Sequence, residues 1–61
     1  MPVITFEMSK LTREQRRDLV REFTDSASRI TGAPRDAFYV FIKENAPDYV
    51  GVGGKLLSDM E

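Results

Sequence analysis

The sequence contains no cysteine and no histidine among its 61 residues. Disulfide bonds, thiolate ligands and imidazole ligands are therefore excluded, and so are catalytic pairs of a serine or cysteine with a histidine base. A domain of this size buries only roughly 60% of its unfolded surface, and small domains usually compensate with disulfides, a metal or association with copies of themselves. We expect no metal site, and we expect self-association.

The sequence also lacks an excess of positive charge and any long hydrophobic run. Nine basic and ten acidic residues give a formal net charge of −1, so no strong positive field exists to attract a nucleic acid or an anionic membrane. The first residues do not show the basic segment and long apolar core of a secretory signal. We expect a cytoplasmic protein, a single domain over residues 1–61, and no nucleic-acid or membrane partner.

The N-terminal half has the pattern of one strand followed by one long helix. Apolar residues alternate with other residues from Val3 to Met8, which is the two-residue period of a strand. The segment Thr12-Arg13-Glu14-Gln15 fits a capping box, which predicts a helix from Arg13 to about Thr31. Gly32 can adopt the left-handed conformation that closes a helix. The inward face of the helix is predicted from the spacing of Leu19, Val20, Phe23, Ala27 and Ile30.

The C-terminal half begins with a second strand that is apolar on both sides. Ala37 to Lys43 is rich in aromatic and β-branched residues, and such a strand is usually covered on both faces. Two strands joined by a long helix form a βαβ unit with parallel strands, but one helix covers only one face. The other face therefore needs a second subunit. A turn at 45–48, a short hairpin or loop at 49–54 and a final helical turn at 55–60 complete an α+β fold.

The polar motifs of the chain do not indicate a common catalytic or ligand-binding site. The glycine-rich segment Gly51 to Gly54 lacks the glycine spacing of a phosphate loop, and Leu56 follows Lys55 where that motif needs a hydroxyl residue. The arginines of the helix alternate with acidic residues, which is typical of a solvated face. No pair of carboxylates is distinguished as an acid and a base.

Pro2 is the remaining candidate for chemistry. Removal of Met1 would leave a secondary amine at the start of the first strand, and burial in an apolar pocket would lower the pKa of that amine towards neutrality. A general base works best in that range. Many proteins begin with Met-Pro for no catalytic reason, so the residue alone does not indicate an enzyme.

Five segments together carry a resemblance that runs nearly end to end: Pro2-Val3-Ile4, Thr12-Arg13-Glu14-Gln15, Ala33-Pro34, Val40-Phe41-Ile42-Lys43-Glu44 and Gly51-Val52-Gly53-Gly54. With them, the chain resembles 4-oxalocrotonate tautomerase and its short homologues. The resemblance implies the tautomerase fold, a homohexamer built as a trimer of dimers, and a C-terminal hairpin packed on a neighbouring subunit. It also implies a cofactor-independent isomerase that catalyses keto–enol tautomerisation of a 2-hydroxydienoate or an enolpyruvate. Pro2 would be the general base.

The chain departs from this family at the residues that hold the substrate carboxylates. The positions of the two family arginines are occupied by Leu11 and Tyr39, and Val50, beside Tyr49, replaces an aromatic residue that lines the family pocket. An arginine holds a carboxylate more strongly and more directionally than a lysine or a tyrosine, so a dicarboxylate substrate is disfavoured. The predicted substrate-binding residues are Lys10, Leu11, Tyr39, Tyr49 and Val50. The alternative interpretation is a non-catalytic assembly or ligand-binding module with the same fold.

Overall fold

The computed structural model describes residues 1–60 as a βαβ unit followed by a small hairpin. Its regular elements are β1 (Val3–Met8), α1 (Arg13–Thr31), β2 (Tyr39–Glu44), β3 (Gly51–Val52) and β4 (Lys55–Leu56). Short 3₁₀ turns cover Arg35–Ala37, Pro47–Tyr49 and Leu57–Asp59. The predicted α+β class, with parallel strands, one long helix and a C-terminal hairpin, is confirmed. Among the described residues, no helix is both long and apolar enough to cross a membrane.

The strands β1 and β2 are parallel and pair over their full length. Val3 lies opposite Tyr39 at one end, and Met8 lies opposite Glu44 at the other. Because side chains alternate along a strand, one face of this pair carries the half-buried residues and the other face carries exposed ones. The half-buried residues of the inner face are Ile4, Phe6, Val40 and Ile42.

The helix α1 begins and ends where the sequence predicts. The Thr12 hydroxyl accepts the Gln15 backbone N–H at 3.1 Å, and the Gln15 side chain accepts the Thr12 N–H at 2.9 Å, which completes the capping box. Gly32 has φ +80° and donates its N–H to the Ser28 carbonyl, so the last turn closes in the left-handed conformation. The helix covers the inner face of the strand pair, and the rings of Phe6 and Phe23 are 5.4 Å apart.

The C-terminal half differs from the sequence prediction in its boundaries. Ala37 lies in a 3₁₀ turn because its N–H donates to the Pro34 carbonyl, so β2 starts two residues later than predicted and extends to Glu44. The hairpin β3–β4 is closed by Gly53 and Gly54, with φ +60° and +87°, as a two-residue turn of the primed type requires. Because Lys55 and Leu56 pair in this hairpin, the predicted final helical turn is limited to Leu57–Asp59.

The core of a single chain is thin. Among residues 1–60, only Leu11 and Thr24 are buried, and no side chain is fully enclosed. On the outer face of the strand pair, Val3, Tyr39 and Phe41 remain 49%, 51% and 47% exposed. The radius of gyration is 14.8 Å, whereas a compact chain of this length has about 10.5 Å. One chain therefore leaves uncovered a large part of the apolar surface that a folded domain normally buries.

Candidate active site

Pro2 directly precedes β1, and a backbone hydrogen bond connects it to the start of β2. Its carbonyl accepts the N–H of Tyr39 at 3.0 Å, and the next residue, Val3, is the strand partner of Tyr39. Pro2 is half-buried, whereas Met1 before it is 81% exposed. The structure thus brings together two predicted site residues, Pro2 and Tyr39, at the N-terminal end of the parallel pair.

On the outer face of the strand pair, Tyr39 provides a polar side chain beside Pro2. The neighbouring side chains of that face are Val3 and Phe41, so the phenol stands at the edge of an apolar surface. The nearest arginine along the chain is Arg35, and its guanidinium forms an ion pair with Asp25 of α1. Arg35 is therefore paired with the helix in the single chain.

Leu11 is the most buried side chain of the described residues, at 7% exposure. Its N–H donates to Glu44 Oε2 at 2.9 Å, and its carbonyl accepts a hydrogen bond from Arg16 Nη1, also at 2.9 Å. The side chain contributes to the core and leaves little surface for a ligand. The predicted contact between Leu11 and substrate stays a prediction.

Lys10 is exposed and lines a surface cavity at the C-terminal end of the strand pair. This cavity of about 400 Å³ is bounded by the loop after β1 and by the segment after β2, and Glu44 is its acidic wall. Among the described residues, Lys10 has no ion-pair partner. Its ammonium group is therefore available for an anionic ligand.

Val50 and Tyr49 lie at the same end of the molecule as Lys10. Val50 lines an adjacent cavity of about 220 Å³ that shares Ser9 and Pro47 with the Lys10 cavity. The Val50 carbonyl accepts the N–H of Leu57 at 2.8 Å, which ties the segment after the hairpin to this wall. Tyr49 ends the preceding 3₁₀ turn and is 86% exposed.

The predicted site residues thus form two groups at opposite ends of β1 and β2. Pro2 and Tyr39 are at one end, and Lys10, Tyr49 and Val50 are at the other. The length of β1, from Val3 to Met8, separates them by about 16 Å. A small substrate cannot contact both groups of one chain at once.

Sequence reasoning missed two residues that shape the second group, Arg16 and Glu44. Both had the pattern of solvated charges, yet both hydrogen-bond the backbone of Leu11, and their side chains lie 3.5 Å apart. Glu44 is 33 residues from Leu11 in the chain, so no local motif links them. The available signal was the parallel register, which sets Glu44 opposite Met8 and next to the following loop.

Comparison with known proteins identifies close relatives over the whole chain. The family model described as "Tautomerase enzyme" matches residues 2–60. The 2-hydroxymuconate tautomerase of Bacillus subtilis (strain 168) is 44% identical over 62 residues, covering 100% of both chains. The crystal structure of YwhB, a homologue of 4-oxalocrotonate tautomerase, superposes with a TM-score of 0.90 at 43% identity, covering 98% of this chain and 100% of that one.

A more distant structure has the same fold. A heterohexameric 4-oxalocrotonate tautomerase from Chloroflexus aurantiacus J-10-fl superposes with a TM-score of 0.86, covering 100% of both chains. Its sequence identity to this chain is 22%. At that level the comparison shows the fold alone.

Proposed function

This chain belongs to the tautomerase family and is an isomerase, and on that premise we propose that it catalyses keto–enol tautomerisation with Pro2 as the general base. The substrate is a 2-hydroxydienoate or an enolpyruvate, and no cofactor takes part. The observation that carries the proposal is the position of Pro2, half-buried at the head of β1 and hydrogen-bonded through its carbonyl to Tyr39.

The reaction transfers one proton from oxygen to carbon. The free secondary amine of Pro2 takes the proton of the enol hydroxyl, the enolate oxygen becomes a carbonyl, and the resulting ammonium returns a proton to carbon. The Tyr39 hydroxyl donates a hydrogen bond to the developing oxygen anion. Lys10 binds the substrate carboxylate.

The amine exists only after Met1 has been removed. While Met1 is attached, the Pro2 nitrogen is an amide nitrogen and has no basic lone pair. Met1 is 81% exposed and therefore accessible to an aminopeptidase. Processing of Met1 is part of the proposal, and so is a cytoplasmic location.

The complete site lies between copies of the chain. The site is formed by Pro2 and Tyr39 of one copy together with Lys10 and Val50 of another. Two copies are needed because the two groups of one chain are separated by the length of a strand. The exposed outer face of the strand pair supports this assembly, since it is the apolar surface that a second copy would cover. We propose a homohexamer, a trimer of dimers.

The proposal is tested by comparing the processed wild-type chain with Pro2→Ala on an enol substrate such as phenylenolpyruvate. We expect kcat/KM to fall by about 100-fold or more, the usual contribution of a general base. A wild-type sample that retains Met1, verified by intact mass, is the second inactive form. Light scattering of all three samples controls for assembly. Undiminished turnover in processed, fully assembled Pro2→Ala would exclude Pro2 as the base.

A further inference from the structure

The loop between β1 and α1 is fixed at Leu11 by three separate contacts. The Leu11 side chain is buried, its N–H donates to Glu44, and its carbonyl accepts from Arg16. Both backbone polar groups of the residue are thus satisfied by side chains of other elements, one at the end of β2 and one in the first turns of α1. A loop residue held in this way has little freedom to move.

The residue before Leu11 is Lys10, so the same contacts set the position of its Cα. Lys10 and Glu44 line the same cavity of about 400 Å³. A carboxylate in that cavity competes with an anionic substrate for the lysine ammonium. The competing charge is engaged by Arg16, whose Nη1 lies 3.5 Å from Glu44 Oε2.

We propose that Arg16 and Glu44 are positioning residues for substrate binding. Glu44 fixes the loop that carries Lys10, and Arg16 offsets the charge of Glu44 so that Lys10 remains available to the substrate carboxylate. The inference rests on the proposed function and adds to it the specific residues that prepare the anion-binding half of the site.

Among the described residues, the other ion pairs do not involve Glu44. Arg21 is engaged by Asp18 and Glu22 on the exposed side of α1, and Asp25 is engaged by Arg35. Among residues 1–60, Glu44 is the carboxylate that both lines the Lys10 cavity and hydrogen-bonds the loop. Its carboxylate is therefore the group that competes with an anionic ligand for the Lys10 ammonium.

The test is a comparison of Arg16→Met with the double variant Arg16→Met/Glu44→Gln on the processed enzyme. In Arg16→Met we expect KM to rise about fivefold with kcat unchanged, the effect of one partly screened charge. Glutamine at position 44 keeps an oxygen that accepts the Leu11 N–H but carries no charge. The double variant should therefore return KM to within about twofold of the wild-type value.

Three further variants separate a role in positioning from a general effect on stability. Arg16→Lys keeps the positive charge and should leave KM near the wild-type value. Lys10→Met should raise KM about tenfold, the size of one charge-assisted hydrogen bond. Arg17→Met removes an exposed arginine of the same turns and should change neither constant. Thermal unfolding and light scattering verify that each variant is folded and assembled.

Several outcomes would overturn the inference. They are an unchanged KM in Arg16→Met, a KM in the double variant as high as in Arg16→Met, or the same rise in Arg17→Met. If Pro2→Ala loses turnover while Arg16→Met leaves KM unchanged, the positioning role fails and the proposed function stands. If Pro2→Ala retains full turnover, the proposed function fails and the positioning role fails with it.

Discussion

In our proposal, Tyr39 determines which substrates bind at the end of the strand pair where Pro2 lies. Its phenol is a neutral hydrogen-bonding group, and the only arginine close to it in the chain, Arg35, is paired with Asp25. A neutral group can stabilise an enolate oxygen but cannot hold a second carboxylate as strongly as a guanidinium can. In our proposal, the substrate therefore carries one carboxylate, which Lys10 binds.

Replacing Tyr39 with arginine should shift this preference. We expect Tyr39→Arg to lower KM for a dicarboxylate enol relative to a monocarboxylate enol by about tenfold, because a guanidinium adds a charge-assisted contact. Steady-state kinetics with both substrates gives the ratio. Ser26→Arg, on the exposed side of α1, adds the same charge elsewhere and is the control. An equal ratio in the wild type and Tyr39→Arg would contradict a substrate-binding role for position 39.

For individual residues, the sequence predicted contacts within the strand pair but not the contacts that hold the loop between β1 and α1. Pro2 directly precedes the first predicted strand and Tyr39 lies near the start of the second, so parallel pairing was enough to place them at the same end. The contact of Leu11 with Glu44 was missed because it joins residues 33 positions apart, and the contact of Leu11 with Arg16 was missed because no local motif marks it. An arginine and a glutamate have the same sequence pattern whether they face solvent or hold a loop.

The start of α1 depends on two hydrogen bonds of the capping box. Thr12→Ala removes the hydroxyl that accepts the Gln15 N–H, and we expect the free energy of unfolding to fall by about 1 kcal/mol. Urea unfolding at one fixed protein concentration measures the change, since assembly contributes to stability. Thr12→Ser keeps the oxygen and should retain most of the stability, and Ser26→Ala reports the background effect in mid-helix. A loss in Thr12→Ser as large as in Thr12→Ala would rule out the cap as the cause.

Elements with strong local signals were predicted more accurately than elements formed by pairing. Thr12 and Gly32 marked both ends of α1, and alternation marked β1, so these bounds were confirmed. The start of β2 was predicted two residues too early because Pro34 begins a 3₁₀ turn that competes with the strand. Lys55 and Leu56 were assigned to a helical turn, but the turn at Gly53 and Gly54 reverses the chain and pairs them with β3.

For the molecule as a whole, the outer face of the strand pair is the expected contact between copies. Phe41 lies in the middle of that face and is 47% exposed in one chain. Phe41→Glu should therefore dissociate the assembly, because burying an unpaired carboxylate is strongly unfavourable. Sedimentation velocity should show a smaller species, and activity should fall with it because each site, as we propose it, contains residues of two copies. Ser26→Glu is the control of equal charge, and a full-size, active Phe41→Glu assembly would refute this interface.

The separation of the site residues by the length of β1 has a genetic consequence. Because each chain would contribute its proline to one site and its lysine to another, a defect in one copy would impair sites that also contain residues of intact copies. Two alleles with damage at opposite ends would then complement each other when their products mix, since some centres would receive both intact halves. Activity in a cell that carries both alleles would then depend on the composition of the mixed oligomers and not on the dose of either allele alone.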